Sequence, residues 1–329
     1  MKEAMHYRKE PVGKTRCLLC PHRCLLSNGK IGRCLARQNK DGVLYTLIYG
    51  EVSSYSMDPM EKKPLYHFYP GKMIFSIGSW GCNFKCTFCQ NWNISQQKAA
   101  VESFEKDDII GIALQNNSIG IAYTYNEPFV WYEFVLDTAK AAKEKGLKNV
   151  LVTNGFVSDE PLKEILPYID AMNIDIKAGN ESFYREICDG QLAQVMKTIK
   201  AVHEAGVHLE LTHLVIPTLT DKPDEIREIS SWIAEMSPDI PFHLTRYFPQ
   251  YKMNIASTPL LSMKEAYEIA KEKLNYVYLG NMSDEHGGNI TACPQCSAEL
   301  IVREPGSASI RGLKAGKCGK CGKEIPGIF

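Results

Sequence analysis

The chain has 329 residues, 44% of them hydrophobic, with 38 basic and 38 acidic side chains and therefore no formal net charge. That length suffices for one large core with small satellites. A balanced charge with no Lys/Arg block argues against nucleic-acid or anionic-membrane partners. No apolar run approaches the ~18 residues of a membrane span. The polar start MKEAMHYRKEP lacks a secretory signal, so a cytoplasmic location is expected. Twelve cysteines in such a chain point to metals rather than disulfides.

In chain order, residues 1–72 read as a small cysteine-rich module, CLLCPHRC…GRC, with Cys17, Cys20, Cys24 and Cys34. So short a segment buries little apolar surface and needs a metal. The four thiols suit zinc or an auxiliary cubane iron–sulfur cluster, zinc being the first choice; His22 is a possible substitute ligand. From Met73 to Gly280 strand-like and helix-like runs alternate. MIFSI (73–77), IGIAYTY (119–125), NVLVT (149–153), AMNIDI (171–176), VHLELTHLVI (207–216), PFHLT (241–245) and NYVYLG (275–280) read as strands. FVWYEFVLDTAKAAKEKG (129–146) reads as an amphipathic helix ending on glycine. Two more helices, at 159–169 and 221–236, each open on an Asp expected to cap. This α/β alternation implies a parallel sheet covered by helices, either doubly wound or a full or partial barrel, over residues 73–288. EHGGNITA (285–292) reads as a linker to a last module, 289–329. Its CPQC-x21-CGKC pattern (Cys293, Cys296, Cys318, Cys321) has the spacing of a zinc ribbon or rubredoxin and is expected to hold zinc or iron.

The sharpest signal is the loop GCNFKCTFCQNW, in which Cys82, Cys86 and Cys89 are spaced C-x3-C-x2-C. A cubane [4Fe–4S] cluster normally takes four thiolates. Three leave one iron open, as a catalytic zinc site keeps one position vacant. Cys188 stands alone and reads as a small buried hydrophobe.

That spacing, with Phe88 before the last cysteine, resembles the radical S-adenosylmethionine (SAM) superfamily. The resemblance implies a partial (β/α)6 TIM-like barrel, a [4Fe–4S] cluster chelated by SAM, and reductive cleavage of SAM to methionine and a 5′-deoxyadenosyl radical. Chemistry in such barrels sits at the carboxyl ends of the strands. Asn126-Glu127-Pro128 stands where many members carry Gly-Gly-Glu, so Glu127 is carried over as the residue that meets the SAM amino group. A helix cap is its structural alternative. Thr153-Asn154-Gly155 matches the turn of glycyl-radical activating enzymes that lines the ribose and methionine side. Asp175-Ile176-Lys177 matches their Asp-Leu-Lys. Lys177 is expected to hold the SAM carboxylate and Asp175 to orient it or to ligate a cation; an internal ion pair is the alternative. Thr212 stands where activases have Arg, which makes Arg246 and His243 candidates for the missing contact. Over nearly its whole length the chain is similar to the AmmeMemoRadiSam group, relatives of pyruvate formate-lyase activating enzymes. That likeness rests on CLLCPHRC, EKKPLYHFYPG (61–71), AYTYNEP and the last cysteine pairs. It implies an oxidoreductase that takes hydrogen from a protein or peptide, fed by a flavodoxin- or ferredoxin-type reductant. The rival readings are radical modification of a small molecule and an inactive metal-binding interaction protein.

Overall fold

In a computed structural model describing residues 1–282, 288–304 and 306–329, the seven expected strands and one more from the amino-terminal stretch, Ser54–Pro59, assemble into one eight-stranded sheet. They are β1 (Ser54–Pro59), β2 (Met73–Gly78), β3 (Gly120–Tyr123), β4 (Lys148–Thr153), β5 (Ala171–Asp175), β6 (His208–Val215), β7 (Phe242–Arg246) and β8 (Val277–Gly280). Each lies beside its neighbour in sequence, without a crossover. Strands β2 to β8 run parallel, and β1 pairs antiparallel with β2. A doubly wound sheet would reverse its strand order at a switch point. The unbroken order instead makes an open barrel. Its outer helices are α1 (Lys106–Gln115), α2 (Tyr132–Glu144), α3 (Asp159–Ile165), α4 (Leu192–Glu204), α5 (Pro223–Met236) and α6 (Leu260–Lys271).

Local chemistry explains these elements. Strand β3 is buried at every position, as a strand covered on both faces must be. Helix α2 buries Phe134, Val135, Leu136, Ala139 and Ala142 on its inner face. The expected Asp caps do not form. Ser158 and Lys222 occupy the cap positions, without side-chain cap bonds. Asp159 lies inside the first turn, where an acid still complements the helix dipole, and it pairs with Lys197 at 2.5 Å. Asp221 Oδ1 instead accepts from the Thr218 amide at 2.8 Å.

The two flanking modules attach differently. Leu19, Leu26, Leu44 and Ile48 belong to the same buried cluster as Phe129 and Trp131 of the barrel, so the amino-terminal module shares the main core. Strand β1, from that stretch, joins the barrel sheet. The carboxyl-terminal module packs Leu300, Ile301 and Ile325 with barrel residues Tyr276 and Tyr278 in a separate small core. Of the expected linker, residues 285–287 lie outside the described residues, and Ile290–Ala292 is a strand.

A buried polar plug closes the barrel interior. Glu210 accepts from the amides of Tyr66 and His67 (2.9 and 2.7 Å), with His208 Nε2 at 2.9 Å and His243 Nε2 at 2.6 Å. His67 continues to Tyr278 Oη at 2.6 Å and to the Pro326 carbonyl at 2.7 Å, tying in the last module. Burial alone would raise the Glu210 carboxyl, but its histidine partners outweigh that and hold it well below the usual carboxylate range.

Candidate active site

The loop after β2 carries Cys82, Cys86 and Cys89 to the carboxyl end of the sheet. Gly81 starts it with φ +87, and a Cβ there would stand 2.4 Å from the Cys34 carbonyl oxygen. Only glycine fits such an approach without strain. Asn126 clamps the loop: its Oδ1 accepts from the Ser79 amide at 2.9 Å, and its Nδ2 donates to the Gly81 carbonyl at 3.1 Å. Asn91 Nδ2 donates to the Tyr125 carbonyl at 2.7 Å, pinning the far side.

The three thiols open onto a cavity of about 650 Å³ that is also lined by Glu127, Thr153, Asn154, Asp175 and Lys177. Such a volume is within the usual range of cofactor sites. Among the described residues, one group of three or more His, Cys, Asp or Glu has ligand atoms all within 4.8 Å of one another, and it is Cys293, Cys296, Cys318 and Cys321. The loop thiols stand wider than that. A cubane fits this spread better than a single ion, because it puts an iron between each thiolate and its sulfide core. Sulfur-directed donors are present: the Phe84 amide lies 3.3 Å and Asn154 Nδ2 3.6 Å from Cys82 Sγ, while Ser95 Oγ, which donates to the Asn91 carbonyl, lies 3.1 Å from Cys89 Sγ. Hydrogen bonds to the sulfurs are one of a protein's levers on a cluster's potential.

Glu127 is 3% exposed. Its Oε1 accepts from Thr153 Oγ1 at 2.7 Å and from the Phe129 amide at 3.0 Å, and its Oε2 accepts from the Asn154 amide at 2.8 Å. It therefore caps the short helical turn Pro128–Trp131 and also lines the cavity. Burial pushes its carboxyl up to about 7 despite these three donors. Gly155, at φ +70, completes the turn. Asp175 Oδ2 lies 2.8 Å from Lys177 Nζ, the internal ion pair expected as an alternative, and both residues face the cavity. Burial would lower the lysine, but Asp175 and Cys86 override it and raise it, so Lys177 stays cationic. Phe88 is buried, packs against Phe183 and lies 6.0 Å from the Lys177 ammonium.

Two candidates do not join the site. His243 is 3% exposed and turned onto Glu210 in the plug, so its ring is already partnered. Arg246 Nε donates to the Thr258 carbonyl at 2.7 Å, and neither residue lines the cavity. Other residues do line it without having been singled out. Asp58 of β1 binds Lys63 at 2.8 Å and accepts from Tyr125 Oη at 2.7 Å at the cavity wall. Burial would raise Asp58, yet Lys63 and Tyr125 hold it well below the usual carboxylate range. The basic pair in EKKP was the available signal. Cys188, fully buried, lies against Cys86, and its thiol, followed by burial, pushes the Cys86 thiol up.

The sheet resembles that of Streptococcus suis SuiB bound to S-adenosylmethionine, with a TM-score of 0.52 at 15% identity over 68% of this chain and 53% of that one. In sequence the chain is 42% identical to the uncharacterized Methanocaldococcus jannaschii protein MJ0808, over 95% of both. It is 27% identical to the pyruvate formate-lyase-activating enzyme of Clostridium pasteurianum, over 53% of this chain and 77% of that protein. No helix among the described residues is long and apolar enough to cross a membrane. Residues 77–232, which hold the cysteine loop and most of the strand-end residues, match the radical SAM superfamily model. The chain belongs to the radical SAM superfamily and is related to the pyruvate formate-lyase activating enzymes.

Proposed function

We propose that this radical SAM enzyme is an activase of the AmmeMemoRadiSam group that abstracts hydrogen from a glycyl Cα of a protein or peptide partner. The observation that carries the reading is the convergence of three thiols, the Glu127 carboxyl and the Asp175–Lys177 pair on one open cavity at the strand ends. Cys82, Cys86 and Cys89 would hold the [4Fe–4S] cluster. When bound, cluster and SAM supply a one-electron cleavage of the sulfonium and a carbon radical able to take a hydrogen atom. Glu127, fixed by three donors, presents a carboxyl to the SAM amino group. Lys177, partly buried and cationic, is the cation placed to meet the SAM carboxylate. The Thr153–Gly155 turn walls the ribose and methionine side. The names of relatives, the pyruvate formate-lyase-activating enzyme of Clostridium pasteurianum and the putative glycyl-radical enzyme activating enzyme MJ1632 of Methanocaldococcus jannaschii, support a glycyl substrate.

The test is anaerobic reconstitution with iron, sulfide and SAM, followed by a low-potential reductant. 5′-Deoxyadenosine and methionine are expected in equal amounts. Glycine-deuterated candidate peptides should pass deuterium into the deoxyadenosine. Methylthioadenosine, or no cleavage by a spectroscopically intact cluster, would overturn the reading. Deuterium uptake from a small molecule alone would replace the protein substrate.

A further inference from the structure

The four thiols of the amino-terminal module converge outside the cavity described above, and their electron-transfer role rests on the function proposed for that cavity. Cys17 ends a strand, Cys20 and Cys24 sit in the turn beyond it, and Cys34 precedes the strand Arg37–Lys40. These separate segments bring all four sulfurs around one small cavity closed by Leu19 and Leu26. None of the four is in a disulfide.

Spacing separates the possible occupants. A tetrahedral ion with bonds of about 2.3 Å holds its sulfurs roughly 3.8 Å apart. The carboxyl-terminal thiols meet that requirement, with Cys293–Cys321 at 3.5 Å and Cys296–Cys318 at 3.6 Å. Among the described residues no three of the amino-terminal sulfurs share a span of 4.8 Å, and in this they match Cys82, Cys86 and Cys89. The wider spread is what a cubane imposes on its ligands.

The donors agree. Arg37, 1% exposed, lines the cavity with Nη1 3.6 Å from Cys17 Sγ, while its Nε has no protein partner. Its Nη2 donates to Glu133, which holds the guanidinium in place. Glu133 already balances the guanidinium's charge, so what Arg37 brings to a four-thiolate cubane is donor capacity toward sulfur, including an unused N–H.

Position gives the site its meaning. Asn83, the residue after Cys82, lines this same cavity, and His22 Nε2 lies 2.8 Å from its carbonyl. The Cys34 carbonyl abuts Gly81, and Arg33 pairs with Asp189, next to Cys188. The wall between the two cysteine sites is residues 81–83.

We propose that Cys17, Cys20, Cys24 and Cys34 ligate a second [4Fe–4S] cluster, set directly behind the three-cysteine loop. With a thiolate on every iron it has no substrate position. The chemistry left to it is one-electron transfer: an electron enters from a low-potential flavodoxin- or ferredoxin-type protein and leaves to the loop cluster.

The test is a count of iron, acid-labile sulfide and zinc in the Cys82→Ala/Cys86→Ala/Cys89→Ala variant after anaerobic reconstitution. About four sulfides per chain should remain, with visible absorption that bleaches on reduction. Zinc at both flanking sites and no sulfide would overturn the proposal. Should that variant fail to fold, the Cys17→Ser/Cys34→Ser variant decides. Its sulfide should fall from about eight to about four per chain, and an unchanged sulfide content would overturn the proposal.

Discussion

Glu127 shows how one side chain serves both fold and site. Its raised pKa means the fold prefers the protonated form. Stability from this group is full below about pH 4.5, where folded and unfolded chains both carry the proton, and is lost as pH rises to about 7. Against Glu127→Gln, which does not titrate, the ligand-free wild type should lose about 3 kcal/mol of relative stability over that range and change little above it. Anaerobic urea unfolding of both proteins from pH 5 to 8 measures this; a pH-independent difference would contradict it. Cys188 tests the opposite kind of assignment. Cys188→Ala should retain the loop cluster's full complement of about four irons, whereas Cys86→Ala should lose it and lower deoxyadenosine formation at least a thousandfold. Iron analysis and product chromatography separate the two.

Among the elements, the cluster loop depends on neighbours far away in sequence. Gly81→Ala adds a methyl against the Cys34 carbonyl at positive φ. The strain should cost about 1–3 kcal/mol or displace the loop, read as a lower Tm together with reduced iron uptake. The Glu210 plug makes a second case. Glu210→Ala would strip the shared acceptor from two amides and two histidines. A loss of about 3–5 kcal/mol is expected from such a buried network, measurable by thermal unfolding. His243, near the amino end of β7, belongs to this plug, which is why it never reaches the cofactor cavity at the carboxyl ends.

For the molecule as a whole, the carboxyl-terminal module shares a small core with Tyr276 and Tyr278 of the barrel, apart from the main core, and has a four-thiol site of single-ion spacing. After zinc loading, a chelator should expose residues 289–329 to limited proteolysis while the barrel stays intact, as gel and mass analysis would show. The barrel strands, the cysteine loop and the strand-end residues Glu127, Asp175 and Lys177 were legible because each signal is local. Period-two and period-3.6 patterns, and ligands spaced two or three residues apart, are written within a few turns of chain. Three things were decided in three dimensions: the unbroken strand order, the turning of His243 onto Glu210, and the spread of the amino-terminal sulfurs behind Gly81. Each joins segments that sequence does not place together, and burial selects the pairing, because a buried donor or charge must find its partner wherever the chain brings one.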